Sequence, residues 1–200
     1  MLAALVCAVA IPAAASAATL WVSPNAPSAP FNSCEHPSYS SIQAAVNGPG
    51  TVIHVCGGTY NEQIQIERSV TINGYEGAIV GLPASPAKDT TPCDLANETG
   101  SGLISQDAVS ICGNVKVVIK SLNINAVWPG QPIGSSDECG YRLYGIVAAG
   151  GAKLELNTST VTGARPKVIN GCQYGVGVQI GTVYSAPAIG KLTSAEELLV

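Results

Sequence analysis

Phenylalanine and methionine are almost absent from this chain of 200 residues, with one of each, and charged residues make up only 11% of it. Nine basic side chains against thirteen acidic ones give a net charge of −4 without any basic run. That balance lacks the positive footprint a phosphate backbone requires, so a nucleic-acid partner is not expected. No C-x-x-C pair occurs, and the two histidines, His36 and His54, stand at no metal-ligand spacing from a cysteine, which argues against a structural zinc site. The serines form no G-x-S-x-G elbow, and two distant histidines supply no triad. The glycine-rich GVGVQIG at 175–181 lacks the Lys-Ser/Thr of a phosphate loop, so its glycines read as points of close strand stacking. What the chain has instead is glycine, 22 residues, and 46% apolar residues that are mostly Ala, Val, Ile and Leu. Small and β-branched side chains with little charge favour many short, tightly stacked strands over amphipathic helices.

The first 17 residues, MLAALVCAVAIPAAASA, form an uncharged apolar run ending in Ala15-Ser16-Ala17, the small-residue pattern cut by signal peptidase. Pro12 interrupts the run, which falls short of the ~20 apolar residues that cross a bilayer. The expectation is a signal peptide over 1–17 and an exported protein, secreted or at the cell surface, with no membrane span after processing. Residues 18–200 are then one domain of ordinary size. Removal of Cys7 with the leader leaves Cys34, Cys56, Cys93, Cys112, Cys139 and Cys172. An even number in an exported chain favours disulfides. Proximity along the chain suggests Cys34 with Cys56, Cys93 with Cys112 and Cys139 with Cys172, one of 15 pairings that six cysteines allow.

In YSSIQAAVNGPG, Ile42, Ala45 and Val46 fall at helical spacing behind a serine cap and stop at Asn47-Gly48-Pro49, which predicts one short helix. Beyond it the helical period disappears. Strand-like runs follow at 51–55, 63–66, 69–74, 108–112, 115–126, 144–151, 152–163 and 174–181, most of them apolar at alternate positions and ending in Gly or Asn. KVVIKSLNI from Lys116 overlays KLELNTSTV from Lys153 at an offset of 37, and GIV at 145 overlays GVQ at 177 at an offset of 32. Such spacings suit solenoid coils of roughly 20 to 30 residues carrying loop insertions. An antiparallel sandwich is the alternative, but hairpin signals do not recur at regular intervals, Asn73-Gly74 being the clear exception.

The run from Ser41 to Gly74, SIQAAVNGPGTVIHVCGGTYNEQIQIERSVTING, resembles the start of the pectin-lyase-like superfamily of right-handed parallel β-helices. The pattern of that superfamily is a helix carrying I-Q-x-A, then G-x-x-I-x-V, then G-T-Y-x-E-x-I-x-I, then a strand ending in Gly. The resemblance implies an all-β, right-handed, single-stranded parallel β-helix with a short N-terminal capping helix. It implies no single activity, because the superfamily includes lyases, hydrolases, esterases, epimerases and members without an assigned reaction. Glu62 lies inside the fold motif and is expected to bond turn backbone rather than act as a catalytic acid.

Polysaccharide lyases of this fold use a basic residue to remove a proton beside a uronate carboxylate, often with Ca²⁺ held by Asp and Glu. The segment SSDECGYRLYG holds the nearest local equivalent: Asp137 and Glu138 to hold calcium, Arg142 to bind or deprotonate an acidic sugar. Tyr141, Tyr144 and Trp128 are candidate platforms for sugar rings, with packing beneath a loop as the competing reading for each. Arg165 and Lys167 are candidate contacts to acidic groups. Gln106-Asp107 resembles the Gln-Asp pair of pectinesterases, but the second Asp segment and the distal Arg-x-Trp are missing. The sequence therefore points to a β-helix engaging an extracellular or cell-wall polysaccharide, and, if an enzyme, to a lyase or hydrolase of acidic glycans. A noncatalytic structural protein of the cell envelope, or a fragment of a longer lyase-like protein, is the competing reading. The tail SAEELLV, with Ser194 capping and Glu197 in the box position, would serve as a lower cap if the stack closes here.

Overall fold

The computed structural model describes residues 18–25, 27–75, 77–87, 104–129, 141–166, 175–181 and 189–193. The chain opens with β1 (Thr19–Val22) and α1 (Ile42–Asn47) and then runs in successive groups of three strands. The first group is β2 (Val52–Val55), β3 (Gly58–Asn61) and β4 (Ile64–Ile66), and the second is β5 (Val70–Gly74), β6 (Ala78–Gly81) and β7 (Ile104–Cys112). The third is β8 (Lys116–Lys120), β9 (Asn123–Trp128) and β10 (Tyr141–Ala149), the fourth β11 (Lys153–Asn157), β12 (Thr160–Pro166) and β13 (Gly175–Ile180), and β14 (Ile189–Thr193) follows. Leading members of each group form a six-stranded sheet A in the order β1-β2-β5-β8-β11-β14. Second members form sheet B, β3-β6-β9-β12, and third members form sheet C, β4-β7-β10-β13.

Every pairing between these strands is parallel. From β2 onward consecutive strands enter different sheets, and with every pairing parallel the antiparallel sandwich is removed as an alternative. The offsets visible in the sequence are the actual registers: Lys116 pairs with Lys153 and Ile146 with Val178. The fold is all-β, built of stacked parallel sheets.

Alternation then decides what is inside. Leu20, Ile53, Ile72, Ile119 and Leu156 stand in register across sheet A, and all are buried. Tyr60, Val80, Ile124 and Val161 make the corresponding buried row of sheet B. Ile64, Val109 and Ile146 make that of sheet C. Like side chains stacked on like leave few voids, and each fully buried Ile contributes ~1.5–3 kcal/mol.

Two long runs expected as single strands, 115–126 and 152–163, are each two strands meeting at a corner. The corners are Ser121 and Thr158, in the left-handed region at φ 51° and 47°. They stack, with Ser121 Oγ 2.9 Å from Thr158 Oγ1. A non-glycine residue there carries no turn signature, so periodicity alone runs straight through it. Gly74 sits beneath the same corner, where a Cβ would lie 2.2 Å from the Ser121 carbonyl oxygen. A Cβ on Gly145 would lie 2.5 Å from the carbonyl oxygen of Gly177, which explains the glycines of that repeat by close stacking.

The amino-terminal end is closed by α1. Ser41 Oγ accepts from Ala44 N at 3.2 Å, and Ile42, Ala45 and Val46 are buried on the first strands. Glu62, twenty residues on, completes this cap: its carboxylate accepts from Ile42 N at 2.8 Å, Gln43 N at 2.9 Å and Ser41 Oγ at 2.7 Å. The side chain is committed to orphan helix donors, the structural role expected of it. Tyr60 Oη lies 3.1 Å from Val22 O and 3.0 Å from Cys56 O. Burial, and secondarily the charge of Glu62, pushes the Tyr60 phenol up to about 12. A Cys34–Cys56 disulfide ties the segment before the helix to the end of β2, the first of the expected pairings. Cys112 is also disulfide-bonded.

Candidate functional site

Asp137, Glu138 and Lys167, with Cys93, Cys139 and Cys172, lie outside the described residues, as do residues 1–17 and the tail from Ser194. Tyr141 and Arg142 open β10, paired with Ile104 and Ser105. Two of the expected sugar platforms are packing groups. Trp128 is 1% exposed against Leu143 and Leu82, because it ends β9 at the same inward alternation as Ile124 and Ala126. Tyr144 is 4% exposed and packs on Val147. Neither ring offers an accessible face, in contrast to the stacking role expected from sequence. Arg165 is exposed on sheet B opposite Val127, a different sheet from Tyr144 and Arg142. Gln106 and Asp107 are both 2% exposed on β7. Among the described residues, no three of His, Cys, Asp and Glu gather closely enough to hold a metal ion, and no helix is long and apolar enough to cross a membrane. A recess of about 390 Å³ beside α1 is lined by Gln43, Gln65, Glu67 and Arg68 among others. Gln43 and Arg68 are occupied there by hydrogen bonds to Gln65 and to the last helical carbonyls.

Chemistry-bearing residues converge elsewhere, on the outer face of sheet A. The positions alternating with the buried row form three outward registers. Lys116 pairs with Lys153, and Thr71, Val118, Glu155 and Lys191 share the next register. Trp21, His54, Asn73, Lys120 and Asn157 form the third. Lys116, Lys120, Lys153 and Lys191 are exposed, so four of the chain's six lysines stand on one face of one sheet. Neighbouring strands are ~4.8 Å apart, which places these amines on a short two-dimensional grid.

Glu155 is the one carboxylate among them. Its ionised form is favoured first by the hydrogen bond from Asn157 Nδ2, at 3.1 Å, and then by Lys191, Lys116 and Lys120, which together hold its pKa below the ordinary carboxylate value. Three positive charges remain in excess on this face of a chain whose net charge is −4.

The opposite end of the same face is aromatic. The rings of Trp21 and His54 stack with centroids 4.5 Å apart and planes 19° apart. Tyr75, directly after β5, lies 5.6 Å from Trp21 and 5.5 Å from His54, and its hydroxyl is 3.0 Å from His54 Nδ1. Partial burial moves the His54 imidazole below its ordinary pKa by disfavouring the cation.

Sequence reasoning missed this face because its residues are scattered over 171 positions, from Trp21 to Lys191, and only the registers unite them. The 37-residue offset carried the one usable signal: it already set Lys116 on Lys153. Compared with known proteins, the chain matches no family and no curated protein.

Proposed function

We propose that the protein is a right-handed parallel β-helix of the pectin-lyase-like kind that acts outside the cell by binding an acidic polysaccharide along the outer face of sheet A. The observation that carries this reading is the gathering of Lys116, Lys120, Lys153 and Lys191 on one exposed face of a net-acidic chain. A polyuronate repeats a carboxylate on every ring, and a lysine grid meets several of them at once. Each exposed pair is worth less than ~1 kcal/mol, so affinity comes from number and is weakened by salt. The role assigned is binding: Arg142 stands on β10 of sheet C, and Asp137 and Glu138 lie outside the described residues.

The test is titration of the protein with polygalacturonate and with uncharged dextran at low and at physiological salt. Binding of polygalacturonate alone, weakened by salt and by the combined substitution Lys116→Ala, Lys120→Ala, Lys153→Ala and Lys191→Ala, is the expected result. Equal binding of dextran, or indifference to the four substitutions, would remove the proposal.

A further inference from the structure

Three aromatic rings at the amino-terminal end of the lysine face serve no interior. Leu20 and Val22 carry the packing of β1, while Trp21 points outward and stays partly exposed. Tyr75 is 42% exposed, one of the few large apolar side chains displayed by the described residues. The chain has only ten Phe, Trp and Tyr residues, and two of them, Trp21 and Tyr75, meet His54 here, on or directly after three successive strands of one sheet.

From this placement we infer that Trp21, His54 and Tyr75 form a ring-stacking subsite for a pyranose of the same acidic chain that the lysines bind. The inference rests on the sheet A reading and specifies its ligand as a sugar, not merely a polyanion. A pyranose has an apolar C–H face and hydroxyls around its edge. Trp and Tyr match both, with a flat apolar body and a polar tip. His54 holds Tyr75 by the 3.0 Å contact to its hydroxyl and stacks on Trp21, so the three rings are set relative to one another before a ligand arrives. Pre-set groups lose less conformational freedom on binding.

Continuity with the charged grid selects this occupant. Trp21, His54, Asn73 and Lys120 lie in one register, so the aromatic end and the nearest lysine of that row are separated by a single asparagine. From His54 to Lys120 is two strand steps, about 10 Å. One glycan laid across the strands would set a ring on the aromatic end and carboxylates on the lysines. A polyanion without sugar rings would use the lysines alone.

The experiment compares polygalacturonate with poly-L-glutamate, a polyanion that has carboxylates and no pyranose, on the full chain and on Trp21→Ala, Trp21→Phe and Tyr75→Ala. Tyr75→Ala alters an exposed side chain and protects the test if Trp21→Ala folds poorly, which thermal melting reports. The expected result is about a tenfold loss of polygalacturonate affinity in Trp21→Ala and Tyr75→Ala, with Trp21→Phe nearer the parent. Poly-L-glutamate affinity should stay within about twofold throughout. Bound polygalacturonate should also shield Trp21 from acrylamide quenching, the second tryptophan, Trp128, being buried. Equal losses for both polymers, or none for either, overturn the subsite while leaving the lysine face standing. Failure of the parent protein to bind either polymer removes both.

Discussion

Sheets A and B are built on the same rungs of the same chain and share one interior, yet their outer faces have nothing in common. Outside sheet A stand Lys116, Lys120, Lys153, Lys191 and an aromatic cluster. Outside sheet B the two central registers read Thr59, Ile79, Asn123, Thr160 and Asn61, Gly81, Asn125, Thr162, without a charge. Sheet B uses its polar groups on itself, as in the 2.6 Å bond from Thr160 Oγ1 to Asn123 Oδ1. Backbone pairing and core packing therefore do not dictate the exterior, and the difference between the faces is where function is to be sought.

The comparison fails first if the interiors are unequal. Ile119→Ala beneath sheet A and Ile124→Ala beneath sheet B each remove a side chain with 0% exposure. Each should cost about 3 kcal/mol by urea unfolding, within the 2–5 kcal/mol usual for such truncations. Val118→Ala, one residue outward on the same strand, should cost well under 1 kcal/mol. A large gap between the two isoleucines would show that the sheets do not share a single cooperative core.

Exchanging the exteriors is the next test. Replacing Lys116, Lys120, Lys153 and Lys191 by Thr should lower polygalacturonate affinity about a hundredfold at low salt, since each lost charge contact contributes a fraction of a kcal/mol. The reciprocal protein, with those four threonines and with Thr59→Lys, Asn61→Lys, Asn125→Lys and Thr162→Lys on sheet B, should regain much of the binding. Recovery to within about tenfold of the parent is expected, the shortfall being the aromatic end; complete recovery would mean that the charge grid alone carries the affinity and would count against the ring-stacking subsite. Persistent loss would mean that the aromatic end is needed as well.

A milder change sharpens the same contrast. Glu155→Gln removes the single carboxylate that Lys191, Lys116 and Lys120 surround. Polyanion affinity should rise about threefold at low salt and return to the parent value in high salt. Because those lysines and the Asn157 hydrogen bond hold the Glu155 pKa down, its charge persists below the usual carboxylate range. Affinity in the parent protein should accordingly be insensitive to this group between pH 5 and 7.

The fold was more legible than the site, for physical reasons. Aliphatic alternation, the serine-capped helix and the 37-residue offset are local or repeating features, and each corresponds to an observed element or register. The corners at Ser121 and Thr158 were invisible because left-handed backbone there is borne by residues without a turn signature. Strands β1, β6 and β14 carried no recognised strand signal in the sequence. The sheet A face needed more than local pattern: Trp21 and Lys191 become parts of one surface only when every intervening register is known. Trp128 shows the converse. Its residue type suggested a platform, but its place at an inward position of β9 made it core.

The smallest expected effect tests the only group on the two central faces that titrates near neutrality. The two central registers of sheet B hold none, being Thr, Asn, Ile and Gly. On sheet A, partial burial depresses the folded-state pKa of His54, so the unfolded chain binds the proton more tightly. Stability is then complete above the unfolded value of about 6.5 and declines as pH falls from there through the lowered folded value. Protonation puts a hydrogen on both ring nitrogens, so Nδ1 can then only donate toward the Tyr75 hydroxyl. His54 is well solvated, so the decline should be a small drop in melting temperature between pH 7 and 5, missing from His54→Gln. The same substitution should remove any pH dependence of acrylamide quenching at Trp21, because the titrating ring that stacks on the indole and meets the tyrosine hydroxyl is then gone. A melting profile that falls identically in parent and variant would assign the acid sensitivity to carboxylates and leave the aromatic end of sheet A as inert to pH as the face of sheet B.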